Sequence, residues 1–195
     1  MHFPSAYFPS IAYLRAMCKR GSVMIDRHEH WIKQTIRNRC VVRNASGIQY
    51  LIVPIRHSHD KEAMGNVCVD DKKKWRENHW KSIQTAYGRS PYLEYYDREI
   101  KDCLGVESQF LLDINLKILR FFIDLWQLPI QVALSSSFYP YETTDNRLED
   151  WLRPDKLEKN YHQVFSGFGN NYSHISALDL LCCEGPLGRK ILVDG

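Results

Sequence analysis

The sequence lacks the short motifs that identify many nucleotide-binding and hydrolytic enzymes. It contains no phosphate-binding P-loop, no GxGxxG dinucleotide fingerprint and no GxSxG nucleophile elbow. None of its cysteines are spaced as CxxC, which argues against a zinc ribbon or a thioredoxin-like redox centre. The residue types therefore predict a site but leave its reaction and any cofactor unknown.

The sequence also lacks an excess of charge and a long apolar run. Its 26 basic and 23 acidic residues give a net charge of +3, which is too even to favour nucleic acid or an anionic membrane as a partner. Charged and amide side chains interrupt the longest apolar stretch, residues 110–126, which excludes a simple membrane span. The first ten residues do not resemble a secretory signal, so we expect a soluble, cytoplasmic protein.

Six scattered cysteines indicate reduced thiols rather than a disulfide framework, because a chain of 195 residues can bury a core without such cross-links. The length favours one domain over residues 1–195. Predicted helices and strands alternate along the chain, and this pattern is typical of an α/β domain in which helices flank a mixed sheet. We expect helices over residues 11–20, 74–87, 91–103, 107–128, 147–152 and 175–183, and strands over residues 23–25, 40–43, 48–53, 66–70 and 131–135.

Several elements carry clear local signals. Asn44-Ala-Ser-Gly47 separates two β-rich runs and predicts a hairpin at about residues 40–54. Ser10 and Gly21 are a suitable cap and stop for the first helix. The prolines and aromatics of residues 3–9 predict an extended loop. The helix over residues 107–128 has one narrow charged stripe, so we expect it to be central and mostly buried.

A dense group of polar side chains follows the predicted strand 23–25. Its members are Asp26, His28, Glu29, Lys33, Arg37, Asn38 and Arg39. Carboxylates and imidazoles can perform acid–base chemistry, and arginines bind phosphate or carboxylate groups through paired hydrogen bonds. Ligand sites often lie at such a strand end. The alternative is a solvated turn with surface ion pairs.

Other candidates have simpler interpretations. His28 and His30, with His57 and His59, could bind zinc, but no third ligand has a diagnostic spacing and we predict no metal. Cys40 follows two arginines that could lower its pKa, although a cysteine in an apolar strand is usually part of the core. His79 lies on the apolar stripe of its helix, where a hydrogen-bonded core histidine is the default. The basic run Lys72-Lys73-Lys74-Trp75-Arg76 could contact phosphates or simply begin a solvated helix.

A series of short segments, in order along nearly the whole chain, resembles one known family. They are Tyr7-Phe8-Pro9 and Tyr13; Ile25-Asp26 and His28-Glu29; Lys33-Gln34; Arg37-Asn38-Arg39-Cys40; Leu51-Ile-Val-Pro54; His79-Trp80; Ser90-Pro91-Tyr92; Phe110-Leu-Leu-Asp113-Ile-Asn115; Tyr161-His-Gln163; Leu178-Asp179; and Glu184-Gly185-Pro186. The family is the WbqC-like family. The resemblance implies a bacterial protein linked to O-antigen or other surface polysaccharides, with a suggested role in transferring glycine or another aminoacyl group to a sugar.

Our first hypothesis is a transferase that acts on a sugar or nucleotide sugar with an anionic group. Arg37 and Arg39 would hold the anion, and His28 or Glu29 would be the general base. Lys33 would contact the substrate, and Asp26 and Asn38 would orient these side chains. Tyr7, Tyr13 and His79 would form the pocket wall. The alternatives are a non-catalytic binding or accessory protein of the same pathway and, third, a zinc hydrolase using His28 and His30. The sequence makes no prediction of oligomeric state.

Overall fold

The computed structural model describes residues 1–56, 61–141, 146–148, 151, 161–165 and 173–194. Its strands are β1 (His2–Phe3), β2 (Ser22–Ile25), β3 (Arg39–Asn44), β4 (Gly47–Ile52) and β5 (Gln131–Leu134). Its α-helices are α1 (Ile11–Arg20), α2 (Trp75–Tyr87), α3 (Leu93–Leu104), α4 (Leu111–Trp126), α5 (Ala177–Glu184) and α6 (Gly188–Val193). Short 3₁₀ helices cover Met64–Asn66, Asn146–Leu148 and Gly185–Leu187. The predicted α/β fold class is confirmed.

Helix α1 begins and ends where its capping residues predict. The Ser10 hydroxyl accepts a hydrogen bond from the Tyr13 N–H at 3.2 Å, which satisfies one of the free donors of the first turn. Gly21 ends the helix at a φ of +69°, a conformation that L side chains rarely adopt. Its N–H then donates to the Met17 carbonyl.

Strands β1, β2 and β5 form a parallel sheet with β2 in the centre. Helix α1 connects β1 to β2, so the first 25 residues are a βαβ unit. Met24 lies opposite His2 on one side and Ala133 on the other. Because the strands are parallel, their carboxyl ends meet at one edge. Asp26 and Ser135, which follow β2 and β5, are therefore neighbours.

Strands β3 and β4 form a separate antiparallel hairpin, which confirms the predicted one. Asn44 pairs with Gly47 across the two-residue turn, and Arg39 pairs with Ile52 at the open end. Helix α2 packs against both strands. Gly47 has a φ of +113°, so this turn requires glycine at that position.

Helix α4 is central, as its sequence predicts. Its buried residues include Ile114, Ile118 and Phe122, which are spaced by one turn of helix. Asn115 is polar and only 1% exposed, and its amide donates to the Arg37 carbonyl at 2.8 Å and to the Ser5 hydroxyl at 3.2 Å. A side chain on α4 thus fixes the segment that leads into β3. Among the helices of the described residues, none has the length and apolar character of a membrane-spanning segment.

Some predicted boundaries were wrong. Phe3, predicted in a loop, belongs to β1 because its backbone pairs with Ile25. The predicted strand 66–70 is a 3₁₀ turn followed by isolated bridges from Cys68 and Val69, since their partners lie in two different segments. Helix α4 starts later than predicted because the bridge to Cys68 keeps Phe110 extended.

The end of the chain also differs from the prediction. The helix predicted as the last one, 175–183, is α5, and a 3₁₀ turn and α6 follow it. Gly185 ends α5 at a φ of +53°, as predicted, and a 3₁₀ turn that contains Pro186 then leads into α6. Of the helix predicted over residues 147–152, the described part contains the 3₁₀ turn Asn146–Leu148; residues 149, 150 and 152 lie outside the described residues.

Candidate functional site

Asp26, the residue that follows β2, is fully buried at the carboxyl edge of the parallel sheet. Its Oδ1 atom accepts hydrogen bonds from the Ser135 hydroxyl at 2.7 Å and from the His28 N–H at 2.9 Å. Its Oδ2 atom forms an ion pair with Arg147. Both carboxylate oxygens therefore have partners inside the protein.

Arg147, the partner of Asp26, is 1% exposed and comes from the 3₁₀ turn Asn146–Leu148. Its guanidinium donates to the carbonyls of Tyr139 at 3.0 Å and Pro140 at 3.2 Å. Its Cζ atom lies 4.5 Å from the centroid of the Tyr141 ring, a cation–π distance. Arg147 thus connects the loop after β5 to the end of β2.

A second buried ion pair joins Glu29 to Arg37. Arg37 Nε donates to Glu29 Oε1 at 2.8 Å and its terminal nitrogen donates to Oε2 at 2.5 Å, which is the two-point geometry of a guanidinium with a carboxylate. Burial raises the pKa of Glu29, and the Arg37 charge opposes that shift. Arg37 also donates to the Arg147 carbonyl at 3.3 Å, so the two ion pairs form one network.

This network places the predicted acid–base residues in different environments. Asp26 and Glu29 are each 0% exposed and paired with arginine. His28 is partly exposed, and its hydrogen bond to Asp26 is made by its backbone N–H. Of the three predicted catalytic side chains, His28 is therefore the one that a ligand can reach without breaking an ion pair.

Tyr7, Tyr13 and His79, which we predicted in the pocket wall, are buried. The Tyr7 hydroxyl lies 2.7 Å from His79 Nδ1, and the His79 ring also hydrogen-bonds the Ile52 backbone. Burial lowers the pKa of His79 to about 4, so its ring is neutral at pH 7. The Tyr13 hydroxyl donates to the Pro4 carbonyl at 2.6 Å. All three side chains have internal partners.

An open groove of about 330 Å³ lies between residues 31–38 and the end of the hairpin. Its lining residues are Trp31, Lys33, Gln34, Asn38, Ile52, Val53, Pro54, Ile55 and Arg56. The exposed cations Lys33 and Arg56 can bind an anion, and the partly exposed Trp31 offers an aromatic face for a sugar or a base. The groove therefore combines the contacts that an anionic, ring-containing ligand needs.

A second recess of about 390 Å³ continues from this groove, and the two share Ile55 and Arg56. Its other lining residues are Asp70 and Lys72. Lys72 belongs to the basic run for which the sequence offered two interpretations. Together the two recesses, which we call the basic groove, contain three cations and one carboxylate, so their net charge favours an anion.

Asn38 and Arg39 lie where the chain enters β3, next to the basic groove. The Asn38 amide donates to the Val53 carbonyl at 3.0 Å, while its Oδ1 atom is shielded from solvent and has no hydrogen-bond partner among the described residues. Arg39 is partly exposed and opens β3 opposite Ile52, which itself lines the groove. The Nε atom of Arg39 is likewise buried without a partner within the described ranges.

The structure thus divides nine of the ten predicted site residues into three groups, and the tenth, His28, is partly exposed and is not among the residues that line the basic groove. The buried network contains Asp26, Glu29 and Arg37; the basic groove contains Lys33 and Asn38, with Arg39 beside it; and the core contains Tyr7, Tyr13 and His79. The catalytic and binding roles of these residues stay predictions. Arg37 would have to release Glu29 before it could bind a ligand, so Lys33 and Arg56 are better placed to do so.

The structure gives less support to zinc binding and to a nucleophilic cysteine. Within the described residues, no group of three His, Cys, Asp or Glu side chains could hold a metal ion. His30 stacks on Phe138 at 5.2 Å, and His57 and His59 lie outside the described residues. Burial raises the pKa of the Cys40 thiol, which opposes formation of a reactive thiolate. All six cysteines are free, as predicted.

The N-terminus of α1 is at the carboxyl edge of the sheet, where many α/β proteins bind phosphate. In this chain the first backbone N–H groups of α1 already donate to other residues. The N–H groups of Ile11 and Ala12 donate to the carbonyls of Ile175 and Ser173 at 3.1 and 2.9 Å, and Tyr13 donates to Ser10. The basic groove is therefore a better candidate for anion binding than this helix end.

Sequence reasoning missed Arg147, Trp31 and Arg56. Arg147 is 121 positions away from Asp26, and nothing in the local sequence indicates that they meet. Trp31 lies inside the polar cluster, and Arg56 lies shortly after β4. A predicted site that included the aromatic residue of the cluster and the end of the hairpin would have contained both.

The fold and the basic groove define an α/β protein with an open, positively charged cleft beside a buried ion-pair network. The chain matches the model of the WbqC-like protein family over residues 5–154, more than half of its length, and it belongs to that family. Comparison with curated proteins and with solved structures gave no match.

Proposed function

We propose that the protein is a transferase of bacterial surface-polysaccharide synthesis, which attaches an aminoacyl or acyl group to a sugar held in the basic groove. The substrate would be a nucleotide-linked or otherwise phosphorylated sugar, and the reaction would take place in the cytoplasm. Membership of the WbqC-like family supports the pathway, and the chemistry of the groove supports the substrate class.

The observation that carries this proposal is the lining of the groove. Lys33 and Arg56 supply cations for phosphate oxygens, and Trp31 supplies a face on which a sugar or base can stack. The Asn38 amide is held in place through the Val53 carbonyl, so a fixed polar group lies among them. A phosphorylated sugar is a ligand that uses all of these contacts.

The buried network would support the reaction by fixing the end of β2. His28 is the general base in this proposal, because it is partly exposed while Asp26 and Glu29 are paired with arginines. Asp26 would position His28 through the hydrogen bond to its backbone N–H. In this proposal, Glu29 and Arg37 hold the segment that carries Lys33.

A second candidate is a non-catalytic binding protein of the same pathway. The observation that favours it is the pairing of both predicted catalytic carboxylates, Asp26 and Glu29, with buried arginines. Such a protein would hold the phosphorylated sugar in the same groove and leave the chemistry to another enzyme.

An assay for turnover separates the two candidates. The purified chain is incubated with a panel of nucleotide sugars and with aminoacyl or acyl donors, and mass spectrometry looks for a modified sugar. The transferase predicts product with the wild type and at least a tenfold lower rate with His28→Ala. A variant of the exposed His162, His162→Ala, is the matched control and should retain the full rate. Binding of a nucleotide sugar without product from any donor would contradict the transferase and favour the binding protein.

A further inference from the structure

Strand β4 presents an unpaired backbone edge. Within the described part of the chain it pairs with β3 alone. The Val53 N–H donates to the Asn38 carbonyl at 2.8 Å. The backbone N–H and C=O groups of the odd-numbered residues of β4 therefore point toward β3. Because backbone groups alternate along a strand, those of Ile48, Tyr50 and Ile52 point away from β3.

The side chains of the same three residues are exposed. Ile48 is 46%, Tyr50 is 48% and Ile52 is 43% exposed, although all three are large and apolar or aromatic. The opposite face of β4 is covered, since Leu51 is buried and Gln49 hydrogen-bonds Ser82 on α2. The β4 edge, by which we mean residues 48–52, is therefore apolar, and among the described residues no second strand pairs with it, although the His79 ring hydrogen-bonds the Ile52 backbone.

This edge also lacks the features that normally prevent strands from pairing. No charged residue occurs between Arg43 and Arg56, and no proline occurs within β4. Natural edge strands commonly carry a charge, a proline or a bulge that keeps other strands away. An edge without them is suited to add another strand.

The pattern of the edge indicates which strand it would add. The outward residues read Ile, Tyr, Ile, which is the same in both directions. If two copies pair antiparallel about a twofold axis at Tyr50, each Tyr50 lies opposite the other and each Ile48 lies opposite the partner's Ile52. Cross-strand pairs of aromatic and β-branched residues stabilise a sheet. The edge is therefore complementary to itself.

We propose that two copies of this chain associate through the β4 edge, which joins their hairpins into one four-stranded antiparallel sheet. Tyr50 lies at the twofold axis. The Ile52 carbonyl, which already hydrogen-bonds His79, can accept a second bond through its other lone pair. Since Ile52 also lines the basic groove, the partner's Ile48 lies at the groove rim in the dimer. This inference does not depend on the proposed transferase reaction.

The oligomeric state of the whole chain tests this inference. Sedimentation velocity and multi-angle light scattering of the wild type should show a species of twice the 23.0 kDa chain mass, with its fraction rising with protein concentration. Tyr50→Lys places two like charges opposite each other at the axis and should leave only monomer. Tyr95→Lys makes the same change at a tyrosine on α3 that is 74% exposed, and it should leave the dimer intact.

A mixing experiment tests the twofold pairing itself. Tyr50→Lys and Tyr50→Glu chains should each be monomeric, and an equimolar mixture should recover the double mass because opposite charges then meet at the axis. Circular dichroism of each variant establishes that it is folded. A wild type that stays monomeric at every concentration overturns the proposal, as does a dimer that persists in Tyr50→Lys or a mixture that stays monomeric.

Discussion

The side chains of Asp26 and Arg147 lie 121 positions apart in the sequence and form a fully buried ion pair. Burying two charges is costly, and removing one partner leaves the other uncompensated. The pairing therefore explains why a charged residue can follow a buried strand without contact with water. Arg147 also donates to the carbonyls of Tyr139 and Pro140, so the pair links the loop after β5 to the candidate site.

Replacing Arg147 should test this dependence. We expect Arg147→Ala to lower the free energy of unfolding by about 3–5 kcal/mol, because the Asp26 carboxylate would stay buried without its partner. Urea denaturation measures the change. Adding Asp26→Asn should recover part of the loss, since it removes the uncompensated charge. Additive costs of the two substitutions would show that the residues are not coupled.

His79 should make stability depend on pH. The folded protein lowers the pKa of His79 from 6.5 to about 4 through burial. A group with a depressed folded pKa contributes stability above its unfolded pKa, and that contribution is lost as the pH falls. Between pH 6.5 and 4 the loss should approach about 3 kcal/mol, at 1.36 kcal/mol per pKa unit.

Comparison of two variants isolates this contribution. Unfolding free energies measured across this pH range should fall less steeply for His79→Gln than for the wild type. His162→Gln removes an exposed histidine and should retain the wild-type slope. An unchanged slope in His79→Gln would mean that folding does not lower the pKa of His79.

At the scale of elements, helix α4 holds two other segments of the chain in place through Asn115. The Asn115 amide holds the Arg37 carbonyl and the Ser5 hydroxyl, which belong to the segment before β3 and the loop after β1. A polar side chain on a buried helical face is therefore a connector between two parts of the chain. Its Oδ1 atom is buried without a partner among the described residues.

Asn115→Ala should destabilise the protein although alanine favours helix. The Arg37 carbonyl would lose a buried hydrogen bond, at a cost of about 1–3 kcal/mol that exceeds the gain in helix propensity. Lys117→Ala, an exposed position of the same helix, is the matched control and should change stability by less than about 0.5 kcal/mol. Equal effects in chemical denaturation would contradict the connecting role.

The sequence predicted those elements whose signals are local. Ser10 and Gly21 gave the bounds of α1, and the turn at residues 44–47 gave the hairpin, because caps and turns depend on neighbouring residues. The sequence did not predict β1, since a two-residue strand has no periodicity of its own and forms through its partner β2. It also missed α6, because Gly185 and Pro186 resemble a helix end.

At the scale of the whole molecule, the candidate site was only partly predictable. The polar cluster after β2 was visible, and its carboxylates and arginines are present at the carboxyl edge of the sheet. The sequence could not show which of these carboxylates and arginines form ion pairs with each other. Glu29 and Arg37 are both suited to catalysis or binding, and only the structure shows that they pair with each other while Lys33, Arg56 and Lys72 are exposed cations of the basic groove.

Calorimetric titration of a nucleotide sugar into the purified chain tests most directly whether the basic groove binds an anionic substrate. The compound that gives the largest thermal shift in a panel of nucleotide sugars is titrated into the wild type, Arg56→Ala and Lys190→Ala. Lys190 is an exposed cation on α6, so it controls for net charge. We predict binding at least tenfold weaker in Arg56→Ala, about 1.4 kcal/mol, and unchanged in Lys190→Ala. Equal affinity in all three proteins, or no binding of any nucleotide sugar, would contradict the assignment.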